Sequence, residues 1–144
     1  MKWMVALVPL LVAFAASAKD VEQDPWLSFV PGGFALVGQL PEGGSPYAGE
    51  AKIEVRGQGF VMQRRIGGKT FEAEGKIEVP SPPGEGRVLR FRWQEAGRGR
   101  TMTCLVSSDL DNYARLSCLW AADGETPRKP GFEAYFATDT WSGN

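Results

Sequence analysis

The stretch YAGEAKIEVRGQGFVMQRRIGGKTFEAEGKIEV, residues 47–79, decides the fold of this 144-residue chain. From Tyr47 to Val55 every second residue is small or apolar, and the residues between them are mostly charged. This period of two is typical of a strand with one face on a core and one face in water. The same alternation returns from Phe71 to Val79. The two Lys-Ile-Glu-Val copies therefore belong to strands that lie two apart and run in the same direction, and no internal duplication is required.

Between these two strands the sequence predicts a third, Phe60 to Ile66, bounded by the turns GQG and GGK. Glycine supplies the positive φ that tight hairpin turns require. Arg64 falls on the apolar side of this strand, where an unpaired guanidinium would be very costly to bury. We expect it at a barrel mouth, reaching past the last apolar layer. A carboxylate bound inside a cavity is the alternative.

Alternation elsewhere predicts further strands. They are Leu89 to Gln94, Thr101 to Ser107, about Tyr113 to Ala121, and Phe132 to Ala137, which makes seven, while Phe34 to Leu40 is an additional strand, a short helix or an irregular cover. In the last strand Phe132 and Phe136 are placed inward and Glu133 outward. The inward aromatic set is Tyr47, Phe60, Phe71, Phe91, Trp93, Trp120, Phe132 and Phe136.

Short links between these strands favour an all-β fold in which neighbours in sequence are neighbours in space. Consecutive antiparallel strands with one buried face predict an up-and-down meander barrel of about seven or eight strands, because closure removes the edges. A two-sheet sandwich needs longer crossovers than most of these links allow. The predicted division is a signal peptide at 1–18, a segment at 19–46 that covers or extends the barrel, and the barrel at 47–144.

The first eighteen residues, MKWMVALVPLLVAFAASA, have an early Lys2, an apolar run and small residues at Ala16 and Ala18. This pattern predicts a secretory signal peptide with an A-x-A cleavage site, and a buried hydrophobic helix is the alternative. The run is shorter than the roughly 20 apolar residues that span a membrane. We therefore expect a periplasmic or secreted protein without a transmembrane segment after cleavage.

The chain has two cysteines, Cys104 and Cys118. Export makes a disulfide the expected state, and a free or metal-binding pair is the alternative. Structural zinc sites require four ligands, whereas this chain has no histidine and only these two cysteines. If the intervening hairpin is centred on Asp111, Cys104 lies opposite Cys118 and Val106 opposite Leu116. The predicted disulfide is then a cross-strand link inside the core.

Nothing in the sequence forms a recognisable catalytic or metal site. The absence of histidine removes histidine-based nucleophile systems. The strand carboxylates fall on the solvent side, and SSDLDN at 107–112 lacks the glycine and the final acidic residue of a calcium loop, which favours a turn. We therefore expect a non-catalytic protein with no cofactor and no metal.

Two binding modes remain. In the first, Tyr47, Arg64, Trp93 and Trp120 line a site inside the barrel for a small apolar or anionic molecule. In the second, the loop PSPPGEG at 80–86 or an arginine-rich hairpin contacts a macromolecule of the cell envelope, as barrel-type enzyme inhibitors do. That hairpin contains Arg87, Arg90, Arg92, Arg98 and Arg100. Nucleic acid is not expected as a partner, because Phe91 and Trp93 point away from Arg90 and Arg92.

The stretch from Tyr47 to Val79 also resembles the opening of small exported bacterial proteins patterned as Y-x-G-x-V-x-I, G-x-x-Y, a Gly-Gly turn and F-x-G-x-G. These are similar in architecture to avidin-like and lipocalin-like meander barrels, and the likeness extends to about Thr138. The resemblance implies the architecture of a meander barrel. The polar Asn/Ser/Tyr cluster of avidin-type biotin sites has only Tyr47 as a counterpart here, so a biotin site is not implied.

Overall fold

A computed structural model of the protein describes residues 24–80, 86–107 and 114–138. They form a closed antiparallel barrel in which each strand pairs with the next and the eighth returns to the first. This confirms the predicted all-β meander. The strands are β1 (Gly32–Gln39), β2 (Pro46–Arg56), β3 (Gly59–Ile66), β4 (Lys69–Glu78), β5 (Val88–Glu95), β6 (Arg98–Val106), β7 (Leu116–Ala122) and β8 (Gly131–Thr138), with a short helix α1 (Trp26–Phe29) and a 3-10 turn (Pro41–Gly43).

The register follows from the alternation in the sequence. Ile53 of β2 lies opposite Met62 of β3, which lies opposite Ala73 of β4, and all three are buried. The first Lys-Ile-Glu-Val copy lies in β2 and the second ends β4, with Val79 just beyond the strand; β2 and β4 flank β3 and run in the same direction, as predicted. Alternating apolar side chains from neighbouring strands thus meet in one core.

The segment before Tyr47 supplies a full barrel strand. In β1, Phe34, Leu36 and Gly38 are buried while the residues between them are exposed, and the strand pairs with both β2 and β8. The barrel therefore begins at Gly32 rather than at Tyr47. The helix α1 lies at one end of the barrel, where Leu27 joins the core. The described part of 19–46 both extends and covers the barrel.

The face of β8 is the opposite of the one predicted. Glu133 and Tyr135 are 1% and 0% exposed, whereas Phe132 and Phe136 are 42% and 39% exposed. Glu133 lies opposite the inward Cys118, so the register with β7 fixes its side chain in the interior. The physical reason is the buried charge on β3: leaving a guanidinium unpaired in the core costs more than exposing two phenylalanine rings.

The predicted disulfide is present. Cys104 of β6 is bonded to Cys118 of β7, the two residues are direct cross-strand partners, and both are almost fully buried. Val106 lies opposite Leu116, also as predicted. The predicted signal peptide at 1–18 lies outside the described residues, as do residues 81–85 of PSPPGEG and 108–112 of SSDLDN. Within the part of the chain that is described, no helix has the length and apolar character needed to cross a membrane.

Candidate functional site

A cavity of about 380 Å³ occupies one end of the barrel, which we call the open end. This is the end where the β1–β2, β3–β4 and β5–β6 connections lie. The other half of the interior is filled, because large side chains such as Leu36, Phe91 and Met102 are at most 1% exposed there. The cavity is therefore short and does not run the length of the barrel. It is lined by Leu40, Ser45, Pro46, Tyr47, Arg64, Ile66, Gly67, Lys69, Phe71, Trp93, Glu95, Trp120 and Glu133.

All four predicted interior residues line this cavity. Tyr47 comes from β2, Arg64 from β3, Trp93 from β5 and Trp120 from β7. Alternation places each side chain inward, and the closed meander brings the four strands around one space. The two indole rings approach each other with centroids 6.1 Å apart.

Arg64 lies inside the barrel and not at its mouth, so the expected mouth position is wrong. The alternative, in which Arg64 binds a carboxylate inside a cavity, is correct. The residue is 3% exposed, and its Nη1 donates a hydrogen bond of 2.6 Å to Oε1 of Glu133. The guanidinium carbon lies 4.1 Å from the centroid of the Trp93 ring. The cation is thus held between a carboxylate and an aromatic face, two arrangements that each stabilise a buried guanidinium.

Glu133 is the acceptor at the centre of the cavity floor. Its Oε1 accepts a second hydrogen bond, of 2.6 Å, from the hydroxyl of Tyr47, and its Oε2 accepts one from the hydroxyl of Tyr135. The Tyr47 oxygen in turn accepts a hydrogen bond of 3.2 Å from Nε1 of Trp120. One carboxylate therefore connects strands β2, β3 and β8, and through Tyr47 also β7.

The protonation of this network follows from burial and charge. Burial, followed by the adjacent Glu133 carboxylate, raises the pKa of Tyr47 and of Tyr135 well above the usual value. Both phenols are therefore neutral donors. Burial acts to lower the pKa of Arg64, but Tyr135 and Glu133 outweigh it and the pKa is raised, so the guanidinium stays charged.

Two glycines give the aromatic side chains room to lie against the wall. A Cβ atom at Gly38 would be 2.5 Å from Cζ of Tyr47, and one at Gly131 would be 2.3 Å from Cε2 of Trp120. Sequence reasoning missed both glycines, together with Glu133 and Tyr135. A usable sign was present for Gly38, because this inward position of the predicted strand Phe34 to Leu40 has no side chain.

In the described part of the chain, three buried donors are unmatched, two on residues that line the cavity and one on Arg100 beside it. Nε of Arg64, Nε1 of Trp93 and Nε of Arg100 are buried and have no hydrogen-bond partner among the described residues. Arg100 lies opposite Trp93 on the inward side of β6, above the ring of Trp120. Its Nε is 3.3 Å from Oε2 of Glu95 without hydrogen-bond alignment. Unmatched donors of this kind suit a ligand that carries an acceptor.

The predicted arginine contact surface does not form one free patch. Arg90 and Arg92 both bind Glu78, and the hydrogen bond from Arg92 is the main cause that lowers the pKa of that carboxyl. Phe91 and Trp93 are buried on the opposite face from these two arginines, as predicted. The remaining three are also in ion pairs: Arg87 with Asp24, Arg98 with Glu125, and Arg100 with Glu95.

Among the described residues, no group of three or more His, Cys, Asp or Glu side chains is arranged to hold a metal ion. Comparisons of the chain with protein-family models and with curated proteins found no match.

Proposed function

We propose that the protein binds a compact, mainly aromatic molecule with a hydrogen-bond acceptor in the open-end cavity, and that it does so without altering the molecule chemically. The observation that carries this proposal is the arrangement of Arg64, Trp93, Trp120 and Tyr47 around one cavity of about 380 Å³. Small-molecule sites are typically concave, apolar and equipped with a few polar groups that orient the ligand.

The size and walls of the cavity indicate the kind of molecule. Its volume lies near the lower end of the roughly 300–1,000 Å³ found for ligand pockets. The filled half of the barrel below it leaves no channel for a long acyl chain. Phe71, Trp93 and Trp120 present aromatic surface, which favours a flat ring system through offset or edge contacts.

The polar floor indicates what the ligand carries. Arg64 and Glu133 neutralise each other, so the floor itself brings no net charge. The oxygens of Glu133 are already occupied by three donors, whereas Nε of Arg64 has no partner among the described residues. A carboxylate or carbonyl on the ligand would offer an acceptor to the donors of this floor, whereas an ammonium group at the floor would find both oxygens of Glu133 already taken.

The same arrangement favours binding over catalysis. A general base needs a lone pair that faces the substrate, and Glu133 is hydrogen-bonded on both oxygens. Export is part of the proposal, supported by the signal-peptide pattern and by a disulfide, since disulfides persist in oxidising compartments. The protein would then bind its ligand in the periplasm or outside the cell.

The test is a titration with three probes of one shape: 2-naphthoate, 2-naphthamide and 2-naphthylmethylammonium, followed by quenching of tryptophan fluorescence. We expect the two acceptor-bearing probes to bind and the ammonium probe to bind at least about tenfold more weakly, the equivalent of about 1.4 kcal/mol. Trp93→Phe should weaken the quenching. Trp26→Phe, in α1 outside the cavity lining, is the matched control and should leave the affinity unchanged.

The proposal fails if none of the probes binds, or if Trp93→Phe and Trp26→Phe have the same effect on the quenching and on the affinity. A preference for the ammonium probe would contradict the assignment of the acceptor. A ligand that co-purifies with the wild-type protein, identified by mass spectrometry, should be compact and aromatic, and a long-chain lipid would overturn the size argument.

A further inference from the structure

Lys69 places a positive charge at the entrance of the open-end cavity. It is the first residue of β4, directly after the glycine turn at 67–68, and it shares the strand phase of Phe71 and the buried Ala73. Its cross-strand partner, Ile66, also lines the cavity. We call the level of Lys69 and Ile66 the rim. The side chain of Lys69 is therefore exposed to solvent and yet forms part of the cavity lining.

The charge of Lys69 has no counter-ion within the described residues. The cavity lining contains two basic and two acidic side chains. At the floor Arg64 pairs with Glu133, and Glu95 lies 3.3 Å from Arg100, which stands beside the cavity. In the described part of the chain, the side chain of Lys69 takes part in no ion pair and no hydrogen bond. Three cations and two anions around the cavity thus leave one positive charge unmatched.

The floor and the rim favour different groups on a ligand. At the floor the charge of Arg64 is already balanced by Glu133, and both side chains are buried. A carboxylate there would bring a third charge out of water without a counter-ion, which is costly. A neutral carbonyl or ether oxygen offers an acceptor to Nε of Arg64 without that cost. At the rim a carboxylate stays in contact with water and faces the unmatched charge of Lys69.

We infer that Lys69 selects a ligand with an anionic group, such as a carboxylate, at one end of its ring system and a neutral acceptor at the other end. This inference rests on the proposed function and adds the charge and the orientation of the ligand. Arg64 lies opposite Phe71, two residues deeper in the barrel than Lys69. Two strand residues rise about 6.6 Å, so the two polar ends of the ligand should be separated by one ring or by two fused rings.

Isothermal titration calorimetry with two probes of one shape, 6-methoxy-2-naphthoate and 6-methoxy-2-naphthamide, tests the role of Lys69. Both probes have the same rings and the same ether acceptor, and they differ in the charge of the group that we expect at the rim. The wild type should bind the naphthoate about two- to fivefold more tightly, the effect of an exposed ion pair. Lys69→Gln should abolish this preference by weakening the naphthoate alone, and Lys69→Glu should reverse it.

Lys76→Gln is the matched control. Lys76 belongs to the same strand but faces outward and lies outside the cavity lining, so its replacement changes the net charge equally without altering the rim. Both affinities should stay at their wild-type values. Salt gives a second readout, because raising it from about 0.01 M to about 1 M shortens the screening length from about 30 Å to about 3 Å. The naphthoate should then lose its advantage while the naphthamide affinity changes little.

Circular dichroism of each variant establishes that it is folded. If the wild type binds both probes equally well, or if Lys69→Gln weakens both alike or neither, the inference is overturned while the proposed binding site stands. If Lys76→Gln weakens the naphthoate as much as Lys69→Gln does, the attraction comes from the overall charge of the protein, which also overturns the inference. If neither probe binds to the wild type, the proposed function fails and the inference fails with it.

Discussion

Arg64 and Glu133 stand 69 residues apart in the sequence and form an ion pair of 2.6 Å whose side chains are 4% and 1% exposed. Removing two charges from water is expensive, and their attraction offsets that cost only when the geometry is good and the other polar atoms find partners. Here the tyrosine hydroxyls and the Trp93 ring supply most of those partners. The ion pair thus forms part of the cavity floor and also decides which side chains of β8 point inward.

The first prediction concerns the energetics of this pair. Arg64→Met should lower the free energy of unfolding by about 3–5 kcal/mol, because it leaves a carboxylate buried without its counter-ion. The double variant Arg64→Met/Glu133→Gln should cost clearly less than the sum of the two single variants, since no uncompensated charge remains. Urea unfolding of the four proteins measures the coupling. Strict additivity would show that the two side chains do not stabilise each other.

The second prediction concerns alkaline pH. The pKa values of Tyr47 and Tyr135 are raised in the folded protein, while in the unfolded chain both tyrosines titrate near pH 10. Above that pH the unfolded state loses protons that the folded state keeps. The free energy of unfolding should therefore keep its full value below about pH 10. Above that pH it should fall by at most about 1.4 kcal/mol per pH unit for each tyrosine.

Urea unfolding at a series of pH values between 8 and about 11 tests this sign. Tyr135→Phe removes one of the two groups and should show a shallower decline than the wild type above pH 10. Equal slopes in both proteins would contradict the assignment, because they would show that other groups cause the alkaline loss.

The strands could be predicted because their positions depend on local alternation. In β2 and β4, and in β3 except at Val61 and Arg64, the apolar residues recur at every second position, and glycine turns mark strand ends. Counting outward from the centre of the hairpin predicted that Cys104 lies opposite Cys118. These features involve residues close in sequence, so one chain is enough to infer them.

The face of β8 could not be predicted from its own residues. Phe132 and Phe136 alternate with Glu133 and Tyr135, and hydrophobicity alone places the phenylalanines inside. The deciding interaction is with Arg64, on a strand that is distant in sequence. The anomaly of Arg64 pointed to a missing carboxylate, but several glutamates were available, and only the barrel closure selects among them.

The third prediction concerns the disulfide. Because Cys104 and Cys118 are separated by 14 positions, their link should stabilise the protein by about 3 kcal/mol by restricting the unfolded chain. Cys104→Ala/Cys118→Ala should lower the urea midpoint accordingly, and the purified wild type should have no thiol that reacts under denaturing conditions. Reduction of the wild type is the control and should reproduce the effect of the double variant. Two reactive thiols in the untreated protein would refute the link.

The fourth prediction compares two glycines, one beside the cavity and one in the core. Gly38→Ala would drive a methyl group into the Tyr47 ring, and Gly75→Ala would drive one into the Phe91 ring, in each case to about 2.5 Å. Both changes should cost about 1–3 kcal/mol of stability through overpacking. Only Gly38→Ala should also displace the Tyr47 hydroxyl from Glu133 and thereby weaken the binding of 2-naphthoate. Calorimetry and fluorescence titration of the two variants distinguish these effects, and an equal loss of affinity in both would show that Tyr47 has no special place in the site.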